Sequence, residues 1–358
     1  MNGVTIKNKI LEVPIVQGGM GVGISLGSLA GAVMAQGGMG TISAANPGFS
    51  HETFQKDPLA CNVKQLALEI EKAREISGGR GMLAVNVMVA SSTYPQLVEQ
   101  AIRSGVDAVV CGAGLPLTLP ALVNGRDVAM APIVSSGRAA TVICRSWQRK
   151  YDLLPDFIVV EGPDAGGHLG FSKEELVDGS HQSLLEILKE VLEATAPFVE
   201  KRGRDIPIFV AGGVYTGYDM AKYVNAGAAG VQLGTRFIGT DECDASDLYK
   251  QQFIEATEDD ILLVKSPAGL PGRALNNAFA KKAAKGRIPP NWCIGCLQGC
   301  QPKETPYCIS EALINAVEGK VDNGLIFTGT NGFRIREITS VKDVMDDMIS
   351  EFGGGTNG

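Results

Sequence analysis

The chain has 358 residues, enough for one large α/β barrel or two ordinary domains, and its 45% hydrophobic and 20% charged residues are an ordinary globular balance. A net charge of −7 with no Lys/Arg stripe argues against nucleic acid as a main partner. No run reaches the ~18 apolar residues of a membrane span and no apolar signal core follows the N-terminal charges, so a cytoplasmic protein with no membrane partner is expected.

The 45 glycines are spread between apolar runs, as expected for many strand-to-helix turns. A short strand is predicted over residues 14–17, ending in Gly18-Gly19-Met20-Gly21. Helical spacing of Leu26, Leu29, Ala30, Val33 and Met34 follows, and Gly37-Gly38 stops it. Met39-Gly40-Thr41-Ile42-Ser43 is the next strand, and a longer connection over 47–58 leads to a charged helix over 63–76. Then come a strand over 82–87, a helix near 94–103, a strand over 108–111 and a Pro-flanked helix ending at Asn124-Gly125. A strand over 132–135 and a helix over 139–149 precede the sixth strand, 157–160. Beyond a polar insertion over 171–182, a long helix spans 184–201. The seventh strand, 208–211, runs into Gly212-Gly213; a helix over 218–225 and the eighth strand, 230–233, complete the series.

Eight strand–helix alternations indicate parallel strands with right-handed crossovers, and eight is the number that closes a (β/α)8 barrel of the TIM class. An open doubly wound sheet is the alternative, but it usually shows fewer strands and a G-x-G-x-x-G turn after the first. The last third reads differently: an acidic, helix-prone stretch over 241–260, a Pro/Gly loop over 266–273, and a basic helix over 274–285. A cysteine cluster, helices near 311–317 and 341–349 and a frayed tail over 353–358 follow. Residues 1–240 are thus expected to form the barrel, and 241–358 a helical cap over its mouth.

In a barrel, functional groups gather at the C-terminal ends of the strands, and phosphate commonly sits at the loops after strands seven and eight. Here these loops read Ala211-Gly212-Gly213-Val214 and Gln232-Leu233-Gly234-Thr235-Arg236. Both supply bare backbone N–H groups, Thr235 adds a hydroxyl, and a helix start after Gly234 would add its positive dipole end. Glycine is also the usual turn residue, so the weight rests on the correct pair occurring together. The sixth strand delivers Glu161-Gly162, then Ala165-Gly166-Gly167-His168. Glycine lets backbone approach a flat or charged ligand, and histidine exchanges protons near neutral pH. The bland alternative is a glycine turn with a solvated histidine.

Four motifs together, Gln17-Gly18-Gly19-Met20, Val85-Asn86-Val87-Met88, Glu161-Gly162…Ala165-Gly166-Gly167-His168 and Gly230-Val231-Gln232-Leu233-Gly234-Thr235, resemble the nitronate monooxygenase (2-nitropropane dioxygenase) family. Bacterial flavin-dependent enoyl-ACP reductases are similar at the same motifs, and the match covers residues 15–240. The resemblance implies an FMN barrel. Gly18, Gly19 and Met20 would lie under the isoalloxazine, with Asn86 and Glu161 hydrogen-bonding toward it. Gly166, Gly167, Gly212, Gly213, Gln232, Leu233, Gly234 and Thr235 would hold ribityl and phosphate, and the family's active-site histidine maps onto His168. Position 161 is Glu where many nitronate monooxygenases carry Gln, and Asp164 stands where Glu is frequent; both departures bear on substrate more than cofactor.

The implied chemistry is nitronate oxidation with O2 to a carbonyl compound and nitrite, with His168 as base or orienting group. The competing enzyme reading uses NAD(P)H to reduce FMN, which passes hydride to an enoyl thioester or quinone. A non-catalytic flavin sensor is the third reading, disfavoured because His168 serves no purpose in cofactor retention. A homo-oligomer is compatible with each.

Cys293, Cys296, Cys300 and Cys308 have the spacing C-x2-C-x3-C-x7-C, which can wrap an iron–sulfur cube or, second, a tetrahedral zinc. Their C-I-G-C-x-Q-G-C wording resembles the [4Fe-4S] loop of bacterial flavoenzymes related to old yellow enzyme, and would let a carrier protein supply electrons. The bland alternative is a set of buried thiols. Cys61, Cys111, Cys144 and Cys243 read as packing residues, His51 and His181 as surface, and Lys281, Lys282, Lys285 and Arg287 as a solvated face.

Overall fold

The computed structural model describes residues 1–355. Strands β1 (Val4–Ile6) and β2 (Lys9–Leu11) form an antiparallel hairpin. The barrel strands then follow: β3 (Ile15–Gln17), β4 (Met39–Ser43), β5 (Met82–Met88), β6 (Ala108–Gly112), β7 (Ala129–Val134) and β8 (Ile158–Glu161). After a two-residue strand outside the ring, β9 (Gly167–His168), come β10 (Ile208–Ala211) and β11 (Gly230–Leu233). β10 pairs with both β8 and β11, and β11 returns to β3, so the eight parallel strands close. All eight expected strands are present.

The chain closes this way because its strands are apolar on both faces. One face of each turns inward: Val16, Met39, Met82, Val110, Phe157, Val159 and Phe209 make the interior core, where Phe157 and Phe209 meet edge to face at 5.7 Å. Ile6 and Leu11 of the hairpin, both fully buried, join this core beside the starts of the strands and plug the N-terminal end. The alternate residues, among them Ile15, Leu83, Val85, Val109 and Leu233, pack under the helices. With the bottom plugged, the mouth at the strands' C-terminal ends is left for function.

The structure departs from expectation in several places, most of them in the last third. Residues 261–275 form a hairpin, β12 (Ile261–Lys265) and β13 (Pro271–Leu275), and β13 also pairs with β9. The predicted loop over 266–273 is therefore the turn of this hairpin plus the start of β13, and the basic helix begins only at Ala278 (Ala278–Lys285). The polar insertion contains a helix, Lys173–Asp178, started by a Ser172/Glu175 capping box. The closing helix (Val341–Gly355) absorbs 353–355 of the expected tail, and 356–358 lie outside the described residues. That helix does not sit over the mouth. It packs against the helices Gly217–Asn225 and Gly27–Ala35, on the barrel's flank, through Val341, Val344, Met345, Met348 and Phe352. Among the described residues, no helix is long and apolar enough to cross a membrane.

Candidate active site

A cavity of about 480 Å³ opens at the C-terminal ends of the strands, within the usual size for a small-ligand site. Of the residues expected to hold a cofactor, Gly18, Gly19, Met20, Asn86, Glu161, Gly166, Gly167, Gly212, Gly213, Gln232, Gly234 and Thr235 line it, with His168. Leu233 does not. Strand residues alternate in direction, so Gln232 faces the cavity and the Leu233 side chain is buried in the outer core. Its carbonyl serves the site indirectly, accepting from the N–H of Gly18 at 2.8 Å.

The floor at Gly18–Met20 is pinned from below. Gln17 is fully buried; its amide donates to Gly18 O, and its Oε1 accepts from Thr41 N at 2.9 Å. Ser25 Oγ accepts from Met20 N at 2.8 Å. Gly19 is required by packing, since a Cβ there would lie 2.3 Å from Asn86 Cβ. At the opposite end Gly212 and Gly213 hold φ of 92° and 85°, left-handed backbone that glycine adopts without strain. The single-turn helix Thr235–Ile238 starts after Gly234. Thr235 Oγ1 accepts from Gly329 N at 2.9 Å, which leaves the hydroxyl proton to donate.

His168 sits on β9, held in register by β13 through the Gly272 pair. Its Nε2 lies 2.6 Å from Ser266 Oγ, and its ring meets Phe327 edge on at 5.2 Å. Burial depresses the imidazole to about 4, so the ring is neutral at pH 7. Glu161 shifts the other way: burial raises its carboxyl to about 7. Two groups with opposed shifts on one cavity wall are a pattern of acid–base sites.

Several residues of the site carry no signal in the sequence. Ser266 belongs to the hairpin turn, where its Oγ also accepts from Ala268 N at 3.2 Å. Arg273, buried on β13, donates to Pro163 O and Ala165 O at 2.6 Å each and clamps the loop that carries His168. Phe327, Thr328, Gly329 and Asn331 come from the last third, and Asn331 Nδ2 donates to Gly213 O at 2.9 Å. All depend on contacts across more than a hundred residues or close to it, and local patterning cannot report them.

Cys293 is exposed, and Cys296, Cys300 and Cys308 are half-buried. Among the described residues, no three His, Cys, Asp or Glu side chains stand in an arrangement that holds a metal ion. The four scattered cysteines are buried, as expected of packing residues. Trp147 is fully buried, donating Nε1 to Pro116 O at 3.1 Å.

Comparison with known proteins agrees with this architecture. The nitronate monooxygenase family model matches residues 4–351. The chain is similar to the (3aS,4S,5R,7aS)-5-hydroxy-7a-methyl-1-oxo-octahydro-1H-indene-4-carboxyl-CoA dehydrogenase of Mycobacterium tuberculosis, 26% identical over 77% of this chain and 66% of that protein, just under two thirds of its length. It is similar to a probable nitronate monooxygenase of Staphylococcus saprophyticus, 26% identical over 76% of this chain and 78% of that one. Among solved structures, FabK from Thermotoga maritima superposes with a TM-score of 0.74 at 25% identity, covering 97% of this chain and 94% of that one. The chain is an oxidoreductase-family protein that belongs to the nitronate monooxygenase family.

Proposed function

We propose that the protein is an FMN-dependent oxidoreductase that oxidises alkyl nitronates with O2 to carbonyl compounds and nitrite. Family membership supports a flavin, and the site fits one: a cavity of about 480 Å³ lined by Gly18 and Gly19 and by the Gly212–Gly213 pair, with the Thr235 hydroxyl. Gly18–Met20, Asn86 and Glu161 would border the ring, while Gly166, Gly167, Gly212, Gly213, Gln232, Gly234 and Thr235 would hold the ribityl chain and phosphate. When bound, FMN supplies the redox chemistry, taking up reducing equivalents and passing them to oxygen.

The chain's own residues do the rest. Neutral His168, fixed by Ser266, is placed to take a proton at Nδ1 from a nitroalkane or to orient a nitronate already formed. Phe327, Met20 and Leu313 present apolar surface that excludes water from the substrate end. The carrying observation is this neutral, hydrogen-bonded histidine on the wall of the glycine-lined cavity.

A second reading, NAD(P)H-dependent reduction of an enoyl thioester or a quinone, is favoured by Glu161. A carboxyl titrating near 7 can supply a proton at neutral pH, where an ordinary one cannot. The name of the dehydrogenase relative, a carboxyl-CoA dehydrogenase, agrees with a thioester as the substrate class. The deciding experiment is anaerobic mixing of flavin-loaded protein with a nitronate, NADH and NADPH in turn, following flavin bleaching. Bleaching by the nitronate alone supports the first reading; rapid bleaching by NADH or NADPH without a response to nitronate overturns it in favour of the second.

A further inference from the structure

A closed barrel has no sheet edge, but the three-stranded sheet beside its mouth has one. Its order is β12-β13-β9; β13 is paired on both sides, whereas β12 is paired on one side only among the described residues. β12 reads Ile261-Leu262-Leu263-Val264-Lys265, four half-buried aliphatic residues and a lysine, with no proline and no bulge against β13. Natural edges are usually shortened, charged, bent or covered, because their free N–H and C=O groups template pairing with another strand. On β12 the exposed Lys265, at one end, is the one such device.

The hydrogen bonds around the strand show which backbone groups are free. Asp260 O accepts from Asn276 N at 2.7 Å and Ser266 N donates to Leu270 O at 3.3 Å, so the even-numbered residues of β12 face β13. On β13, Arg273 and Leu275 turn away from β12: Arg273 O accepts from Thr328 N at 3.1 Å, and Leu275 N donates to Ile326 O at 2.9 Å. Ile261, Leu263 and Lys265, of which Leu263 and Ile261 lie opposite those two, therefore direct their backbone groups outward. Ile261 N is taken by Glu258 O, and Lys265 O accepts from the Tyr307 hydroxyl at 2.9 Å. Ile261 O, both groups of Leu263 and Lys265 N have no partner among the described residues.

That free set is self-complementary. A two-fold axis at Leu263 sets a second β12 alongside, antiparallel, with Leu263 opposite the partner's Leu263 and Ile261 opposite the partner's Lys265. Each Leu263 N then meets the partner's Leu263 O, and each Lys265 N meets the partner's Ile261 O, which uses every free group. The groups already taken, Ile261 N and Lys265 O, are the ones this register sets against each other, so no free group faces an occupied one. The charges agree. Glu258-Asp259-Asp260 precede the strand and Lys265 ends it, so antiparallel pairing brings each lysine diagonal to the partner's Asp259 on the same face. Parallel self-pairing would set lysine against lysine and acid against acid.

We propose that two copies of this chain associate through β12, antiparallel across a two-fold axis, to give one continuous six-stranded sheet. The contact lies beside the turn that carries Ser266, so the second copy braces from outside the hairpin that positions His168.

The test is sedimentation equilibrium of the full, flavin-loaded chain over a range of concentrations, with amide hydrogen exchange of residues 261–265 on the same samples. The expected result is a dimer that dissociates on dilution, with the Leu263 and Lys265 amides exchanging more slowly as the dimer fraction rises. Lys265→Glu replaces two attractive pairs by two repulsive ones and should weaken the dimer about tenfold, and adding Asp259→Lys should recover most of that loss. Both positions are exposed, so circular dichroism and flavin content should stay wild type. A monomer at every concentration would leave the edge to a different chain and overturn the proposal. So would a dimer whose 261–265 amides stay unprotected, or one that neither charge variant moves.

Discussion

Removing the Ser266 hydroxyl tests whether His168 acts as a base. A hydroxyl has one proton and two acceptor sites. Ser266 Oγ already accepts from Ala268 N, and its other contact is His168 Nε2 at 2.6 Å. If Nε2–H donates to Ser266, the Nδ1 lone pair is free and His168 can accept a proton; if Ser266 donates to Nε2, the ring proton sits on Nδ1 and the group can only donate. Nitroalkane oxidation requires the first arrangement. In Ser266→Ala the buried Nε2–H loses its acceptor, which costs about 1–3 kcal/mol, so the productive tautomer and orientation fall by roughly tenfold or more. The assay compares kcat/KM for a neutral nitroalkane with that for its preformed nitronate. A loss of about tenfold on the nitroalkane and little on the nitronate is expected, with Ser266→Thr restoring much of it. Equal losses on both substrates would reduce Ser266 to a structural role, and no loss on either would refute the arrangement.

The other perturbations read separate parts of the site. Because His168 titrates near 4, kcat/KM for a nitroalkane in Glu161→Gln, which removes the carboxyl that titrates near 7, should stay flat from pH 8 to about 5 and fall only below; a fall centred near the ordinary histidine value of 6.5 in that variant would contradict the depressed pKa. Glu161 binds its proton more tightly folded, near 7, than unfolded, near 4.5, so its contribution to stability is full below 4.5 and lost as the pH rises through 7. Glu161→Gln should therefore flatten the decline in Tm between pH 5 and 8, and an unchanged slope would count against that shift. Gly213→Ala places a side chain at φ 85° with its Cβ 3.1 Å from that of Asp164, and should cost about 1 kcal/mol or more together with a loss of flavin affinity seen by equilibrium dialysis. Met345→Ala, fully buried between the closing helix and the barrel, should cost about 2–5 kcal/mol in urea unfolding while flavin affinity stays near wild type.

The barrel was legible because each of its strands is buried on both faces. Ala108–Gly112 is buried at all five positions, and such strands appear in sequence as apolar runs ended by glycine. The β12–β13 hairpin lacked that signature. Ile261–Lys265 is only half-buried, and Pro271-Gly272 reads as a turn although Pro271 opens a strand, where a missing N–H is tolerated. Likewise the apolar spacing of 341–349 identified a helix with one buried face but said nothing of what covers it. Ser266 illustrates the limit most clearly: a serine beside proline is unremarkable until the fold brings it 98 positions back to His168.

That hairpin also explains why the reaction is harder to read than the cofactor. The glycine loops that border the cavity are set by barrel strands, each fixed by two parallel neighbours. His168 is not. It leaves the barrel on β9, takes its register from β13, its Nε2 partner from the β12–β13 turn and its loop anchor from Arg273. A shift of one residue in the β13–β9 pairing would turn His168 away from the cavity, because strand side chains alternate. The position of the proposed acid–base group is thus decided by residues 261–275, outside the four motifs that carry the family resemblance. Exchange of this hairpin between relatives should move the preference between nitronate and nitroalkane while leaving flavin affinity intact, and loss of flavin with the exchange would show that barrel and hairpin are not separable in this way.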